Sequence, residues 1–181
     1  MNVPYVGDEK IDMIKTCCCT GHRPKGFPWH YHLNTEKTES YRKELTIKIE
    51  KAIANGFSHF LTGMALGADM DFAECVLSLR DKKRLPITLE AVIPCADQTK
   101  CWNEKDIFRY EQILQHIDSS IILSKTYTND CMLARNRNMV DRSDLVIAVF
   151  NGIQRGGTWY TIRYAQSQNV PLDYLLLKKD Y

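Results

Sequence analysis

The sequence lacks long hydrophobic runs, a surplus of one charge and any paired cysteine spacing, and each absence excludes a class of protein. Nowhere in its 181 residues does an apolar stretch approach the roughly 20 that a membrane-crossing helix needs. The most apolar segment, Leu145 to Phe150, has only the length of a buried strand. Met1 to Lys15 carries scattered charges without an apolar centre, so a secretory signal is not expected, no membrane partner is expected, and the expected location is cytoplasmic. Lysine and arginine total 24 against 22 aspartate and glutamate, a net +2, too even for a protein that coats phosphate backbones. Nucleic acid is therefore an unexpected partner. The seven cysteines are odd in number, contain no CxxC pair, and include Cys17, Cys18 and Cys19 in a row. Neighbours on a strand point to opposite faces, so that trio is no disulfide framework. No zinc-ligand spacing exists, no metal or cofactor is expected, and the thiols read as small reduced hydrophobes.

What is present is ordinary globular composition, 44% hydrophobic and 25% charged, at a length that suits one domain. A single domain over 1–181 is expected, with 1–14 as an N-terminal extension. Short apolar runs end in turn residues and alternate with helical periods. Strands are expected at 15–20, 59–62, 88–93, 120–124, 144–150 and 172–177. Helices are expected near 36–55, 68–80, 103–118, 130–142 and 158–168. In the first helix Tyr41, Leu45, Ile49, Ala52 and Ile53 recur at three- and four-residue steps, with Gly56 as the stop. Continuous rather than alternating apolar strands, each followed by a helix, indicate a mostly parallel sheet covered on both faces. The expected fold is an α/β, Rossmann-like three-layer sandwich of about six strands. Ligands in such sheets sit outside the carboxyl ends of the strands.

The loops at those ends have unusual compositions. Gly63, Gly67 and Asp69 form GxxxGxD between a strand and a helix, a context in which backbone N–H groups approach an anion. Asp69 can cap the helix or bind a ribose hydroxyl; a plain tight turn explains the same spacing, which is not the dinucleotide GxGxxG. Gly156 and Gly157 followed by Thr158 suit a phosphate held by backbone donors and a hydroxyl, or a turn capped by Thr158. Gly21, His22 and Arg23 precede Pro24, and Arg23 can reach a phosphate or a base. Arg135, Arg137 and Arg142 lie on one helix, with Arg135 and Arg142 on one face and Arg137 elsewhere. Trp29, Trp102, Trp159 and Tyr160 can stack on a base or pack as core and rim.

Thr20-Gly21-His22-Arg23-Pro24, the run Gly63 to Asp69 and the stretch from Ala134 through Gly157-Thr158 together resemble the YpsA-like group of the SLOG superfamily. The resemblance extends from about Thr16 to Leu177. It implies a Rossmann-like domain binding nucleotides or nucleotide-derived ligands, beside the Lonely Guy phosphoribohydrolases and the Smf/DprA proteins. Arg135, Met139, Ser143 and Asp144 match the Arg-led helix of Lonely Guy enzymes. Thr161, however, stands where their PGGxGTxxE motif carries the catalytic glutamate, and a threonine does not relay protons near neutral pH. Asp69 and Asp144 are the acids that could replace it.

Three functions follow as expectations. The first is a binding protein for a nucleotide-derived small molecule, held by Gly21, His22, Arg23, Gly63, Gly67, Asp69, Arg135, Gly156, Gly157 and Thr158. The second is a nucleotide N-glycosidase, with its catalytic residues unassigned. The third is a single-stranded nucleic-acid-binding protein. Exposed helices in this architecture often pair, so a homodimer is also an expectation.

Overall fold

A computed structural model describes residues 14–179, so the expected N-terminal extension lies outside the described residues apart from Ile14. Six strands, β1 (Lys15–Gly21), β2 (Phe57–Thr62), β3 (Thr88–Ile93), β4 (Ser119–Ile122), β5 (Leu145–Phe150) and β6 (Leu172–Leu176), form one sheet. Every neighbouring pair is parallel, in the order β4-β3-β2-β1-β5-β6. Five helices connect them: α1 (Glu36–Ala54), α2 (Ala68–Lys83), α3 (Glu104–Leu114), α4 (Cys131–Asp141) and α5 (Gly156–Ser167). None of them is long and apolar enough to cross a membrane.

Strand sequence dictates the layers. Cys17, Cys19, Phe60, Ile147 and Val149 pack with the residues of α1, α2 and α3, while their neighbours Cys18, Leu61 and Val146 pack with Met139, Val140 and Ala165 of α4 and α5. A period of two on strands buried on both sides thus divides each apolar run between two cores. Right-handed crossovers explain the helix placement. The chain steps from β1 outward to β4 with α1 to α3 on one face, then returns through α4 to the other side of β1, so α4 and α5 cover the opposite face.

Local signals account for most boundaries. Thr35 Oγ1 accepts from the Thr38 N–H at 3.3 Å to open α1, and Asn103 accepts from the Asp106 N–H at 2.9 Å to open α3. The α1 stripe is buried at Tyr41, Leu45, Ile49 and Ala52, as its spacing predicts. Strand β2 starts two residues before its expected range and β4 ends two residues short of it, and three helix boundaries differ by two residues or more. Helix α2 continues to Lys83 and stops at Arg84 in the left-handed region, φ +50°, without the glycine that usually marks such a stop. Helix α3 closes at Leu114, leaving Ile117 in the irregular segment before β4. Helix α5 begins two residues early, so Gly156 and Gly157 form its first turn and Thr158 is not its cap.

Candidate functional site

The direction of winding reverses between β1 and β5, and a crevice opens there beyond the carboxyl ends of the strands. It holds a cavity of about 350 Å³. Thr20, Gly21, His22 and Arg23 line it from β1 and its loop, Ala65 and Asp69 from the turn into α2, Arg135 and Asn136 from α4, and Gly157 and Thr158 from α5. Seven of the ten sequence-predicted residues therefore meet on one cavity; Gly63, Gly67 and Gly156 lie outside its lining.

The glycines divide by physical reason. A Cβ on Gly21 would stand 2.3 Å from the Ala68 Cβ, so its bareness seats α2 against β1. Gly67 has φ +87°, and a Cβ there would meet the His22 carbonyl oxygen at 2.6 Å. That carbonyl accepts from the Ala68 N–H at 3.1 Å, which commits the first donor of α2 inside the protein. The Arg135 guanidinium lies directly on Gly63 and donates to its carbonyl. Gly157 is different: its φ is not positive, and nothing stands within 4 Å of where a Cβ would be. Neither packing nor backbone conformation demands a glycine there, yet it borders the cavity. Around it the α5 N-terminus has no side-chain cap. The N–H groups of Gly156, Gly157 and Thr158, and the Thr158 hydroxyl, donate to no group elsewhere among the described residues. Unspent donors at a helix N-terminus favour an anion.

On the opposite wall Asp69 and Arg135 form a buried pair, Nη1 to Oδ2 3.4 Å, with side chains 8% and 6% exposed. Asp69 does not cap α2; its Oδ2 accepts from the Ala65 N–H at 3.3 Å. Burial pushes the Asp69 carboxyl above its ordinary range, against the opposing pull of Arg135, and burial likewise lowers Arg135. Arg135 Nε donates to Asn136 Oδ1 at 2.7 Å. Arg137 is held by Asp130 and Tyr160, and Arg142 by Glu90, so of the three arginines only Arg135 serves the cavity. Arg23 is exposed on the cavity rim and makes no ion pair among the described residues. The His22 ring stacks on Phe150 at 5.9 Å, Phe150 stacks on Trp159 at 5.8 Å, and burial lowers the His22 pKa, partly offset by a hydrogen bond with Asn151. The aromatics named from sequence pack instead of lining this cavity: Trp29 against Phe27 and Tyr41, Trp102 on Tyr110, Tyr160 on Tyr164.

The two acids considered as substitutes for a missing glutamate separate clearly. Asp144 accepts from the Thr16 N–H at 2.9 Å, at the amino ends of β1 and β5, the opposite edge from the cavity. It is no candidate. Thr161 donates to the Gly157 carbonyl at 2.9 Å and accepts from Asn136 at 2.8 Å, so its hydroxyl locks α4 to α5.

Sequence reasoning missed a second constellation. Asp71, wholly buried, accepts from Tyr31 at 2.8 Å, Arg42 at 2.9 Å and Arg109 at 2.7 Å, and both arginines also hold Glu74. Asp71 and Glu74 at i, i+3 were a visible signal; their partners on α1 and α3 were not. This network fixes α1 and α3 to α2 beside a wider groove of about 780 Å³ lined by Tyr31, Glu74, Phe108 and Arg109.

Comparison with known proteins points one way. The YpsA family model, described as the YspA SLOG family, matches residues 17–178. The uncharacterized SPbeta prophage-derived protein YoqJ of Bacillus subtilis is 29% identical over 119 residues, 59% of this chain and 68% of its own length. A UPF0398 protein of Staphylococcus epidermidis is 25% identical over 152 residues, 82% of this chain and 79% of its own.

Proposed function

The chain belongs to the YpsA SLOG family, and from that premise we propose that it binds a nucleotide or nucleotide-derived small molecule at the carboxyl edge of its sheet. The observation that carries this reading is Gly157: a glycine with open space around it, at an uncapped helix N-terminus, on the wall of a cavity. There the ligand's phosphate meets the N–H groups of Gly157 and Thr158 and the Thr158 hydroxyl, with Arg23 at the rim and the macrodipole behind. Asp69 and Arg135 face it from the inner wall. The N-glycosidase alternative rests on Asp69 as its acid, because Asp144 lies at the far edge and Thr161 is spent between two helices.

Titrating the protein with a panel of nucleoside 5′-monophosphates, while following free base by chromatography, tests the proposal. Saturable binding without base release is expected. In Gly157→Val, affinity should drop at least about tenfold, the loss of a charge-assisted hydrogen bond, with an unchanged melting temperature. Absence of binding across the panel at millimolar ligand overturns the reading, and steady base release by the wild type replaces it with the hydrolase.

A further inference from the structure

We infer that the inner wall of the cavity recognises adjacent hydroxyls of the ligand's sugar, so that the site takes ribonucleotides and discriminates against deoxyribonucleotides. This rests on the nucleotide reading above, and the observation behind it is a half-satisfied polar pair. Asp69 Oδ2 holds the Ala65 N–H and Arg135, but Asp69 Oδ1 accepts no hydrogen bond among the described residues. Arg135 spends Nε on Asn136 and Nη1 on Gly63 and Asp69, while its Nη2 donates to nothing among the described residues. Both side chains are more than nine-tenths buried, and both line the cavity. Neither free atom is sealed in the core, so each can be reached from the cavity and paired by a ligand there.

The chemistry of the two free atoms selects the partner. A carboxylate oxygen only accepts, and a guanidinium nitrogen only donates. A phosphate against this wall would satisfy Arg135 and be repelled by Asp69, so the anion belongs at α5. A hydroxyl both donates and accepts, and two adjacent hydroxyls satisfy the carboxylate and the guanidinium together. Sugar diol inward and phosphate outward is then the orientation that pairs both free atoms. A base edge with neighbouring donor and acceptor could also fill the wall, and comparing sugars under one base separates the two.

The test uses the unmodified full chain and calorimetric titration with the common ribonucleoside 5′-monophosphates and their 2′-deoxy and 3′-deoxy counterparts. For each base that binds, removing a hydroxyl should weaken affinity by about ten- to a hundredfold, the loss of a hydrogen bond to a charged group. Asp69→Asn should narrow that ratio, because a neutral amide is a weaker partner for a hydroxyl than a carboxylate. Equal affinity for ribo and both deoxy forms overturns the diol inference and leaves nucleotide binding intact. Failure of every nucleotide to bind removes both.

Discussion

The Asp69–Arg135 pair stands out among the residues because burial disfavours the charge of both partners. Ion pairs of that kind contribute little to stability once desolvation is counted, and volume-matched apolar replacements are often neutral or stabilising. Losing one partner is different, since it strands the other charge. Asp69→Leu and Arg135→Met alone should each cost about 3–5 kcal/mol in denaturant unfolding. The double replacement should recover most of that loss, staying about 1–3 kcal/mol below wild type because the Ala65 N–H loses its acceptor, and it should weaken nucleotide binding. Gly63's carbonyl would keep its 3.3 Å bond from Gln98, so the double variant leaves no backbone orphan there. A double variant as unstable as either single one would mean that the pair holds the fold together. Sequence showed both residues as candidates, but their pairing spans 66 positions and no local period reports it.

Among the elements, the α5 N-terminus carries the sharpest contrast. Gly156 and Gly157 look interchangeable in the sequence, yet Gly156 has φ +80° and Gly157 does not. Gly156→Ala should destabilise by about 1–2 kcal/mol although the space beside it is open, because a Cβ is strained in that region. Gly157→Ala should be neutral or up to about 1 kcal/mol stabilising, since alanine is the better helix former. Thermal melts of the two variants decide the matter; equal losses would mean that the first turn tolerates no side chain at all. The motif positions were legible in the sequence because glycine clusters punctuate strand–helix turns. Their division of labour was not. Gly21 and Gly63 are glycines because of Ala68 and Arg135, which arrive from other parts of the chain.

At the scale of the whole molecule, charge pairs between elements set the response to acid. Arg142, with help from His59, holds the Glu90 carboxyl below its ordinary range. Burial pushes Glu74 up, but Arg109 and Arg42 outweigh it and the net shift is down. A lowered folded pKa stabilises fully above the unfolded carboxylate value, near 4.3, and that stability is lost as pH falls through the folded value. Asp69, shifted upward, works with the opposite sign and loses stability as pH rises through its folded pKa. Glu74 and Glu90 should therefore make the melting temperature fall as pH drops below about 4. Glu90→Gln should be less stable than wild type at pH 7 and show a shallower acid decline. A parallel decline in both proteins would remove Glu90 from the explanation.

The amino-acid sequence by itself determined the elements and their layering. Apolar runs of strand length followed by helical periods leave few solutions other than a parallel sheet covered on both faces, because each apolar stripe must find a partner layer. It also placed the glycine-rich turns at the carboxyl ends of strands, since each follows an apolar run directly. Only the tertiary structure decided the strand order, and with it that the loops after β1 and β5 meet around one cavity while Asp144 sits at the other edge. It alone selected Arg135 over Arg137 and Arg142, tied Thr161 to Asn136, and surrounded Asp71 with Tyr31, Arg42 and Arg109. Periodicity reports neighbours three or four positions apart on a helix and two apart on a strand. Those contacts join residues separated by 25 to 40 positions, where only the path of the backbone in space makes them neighbours.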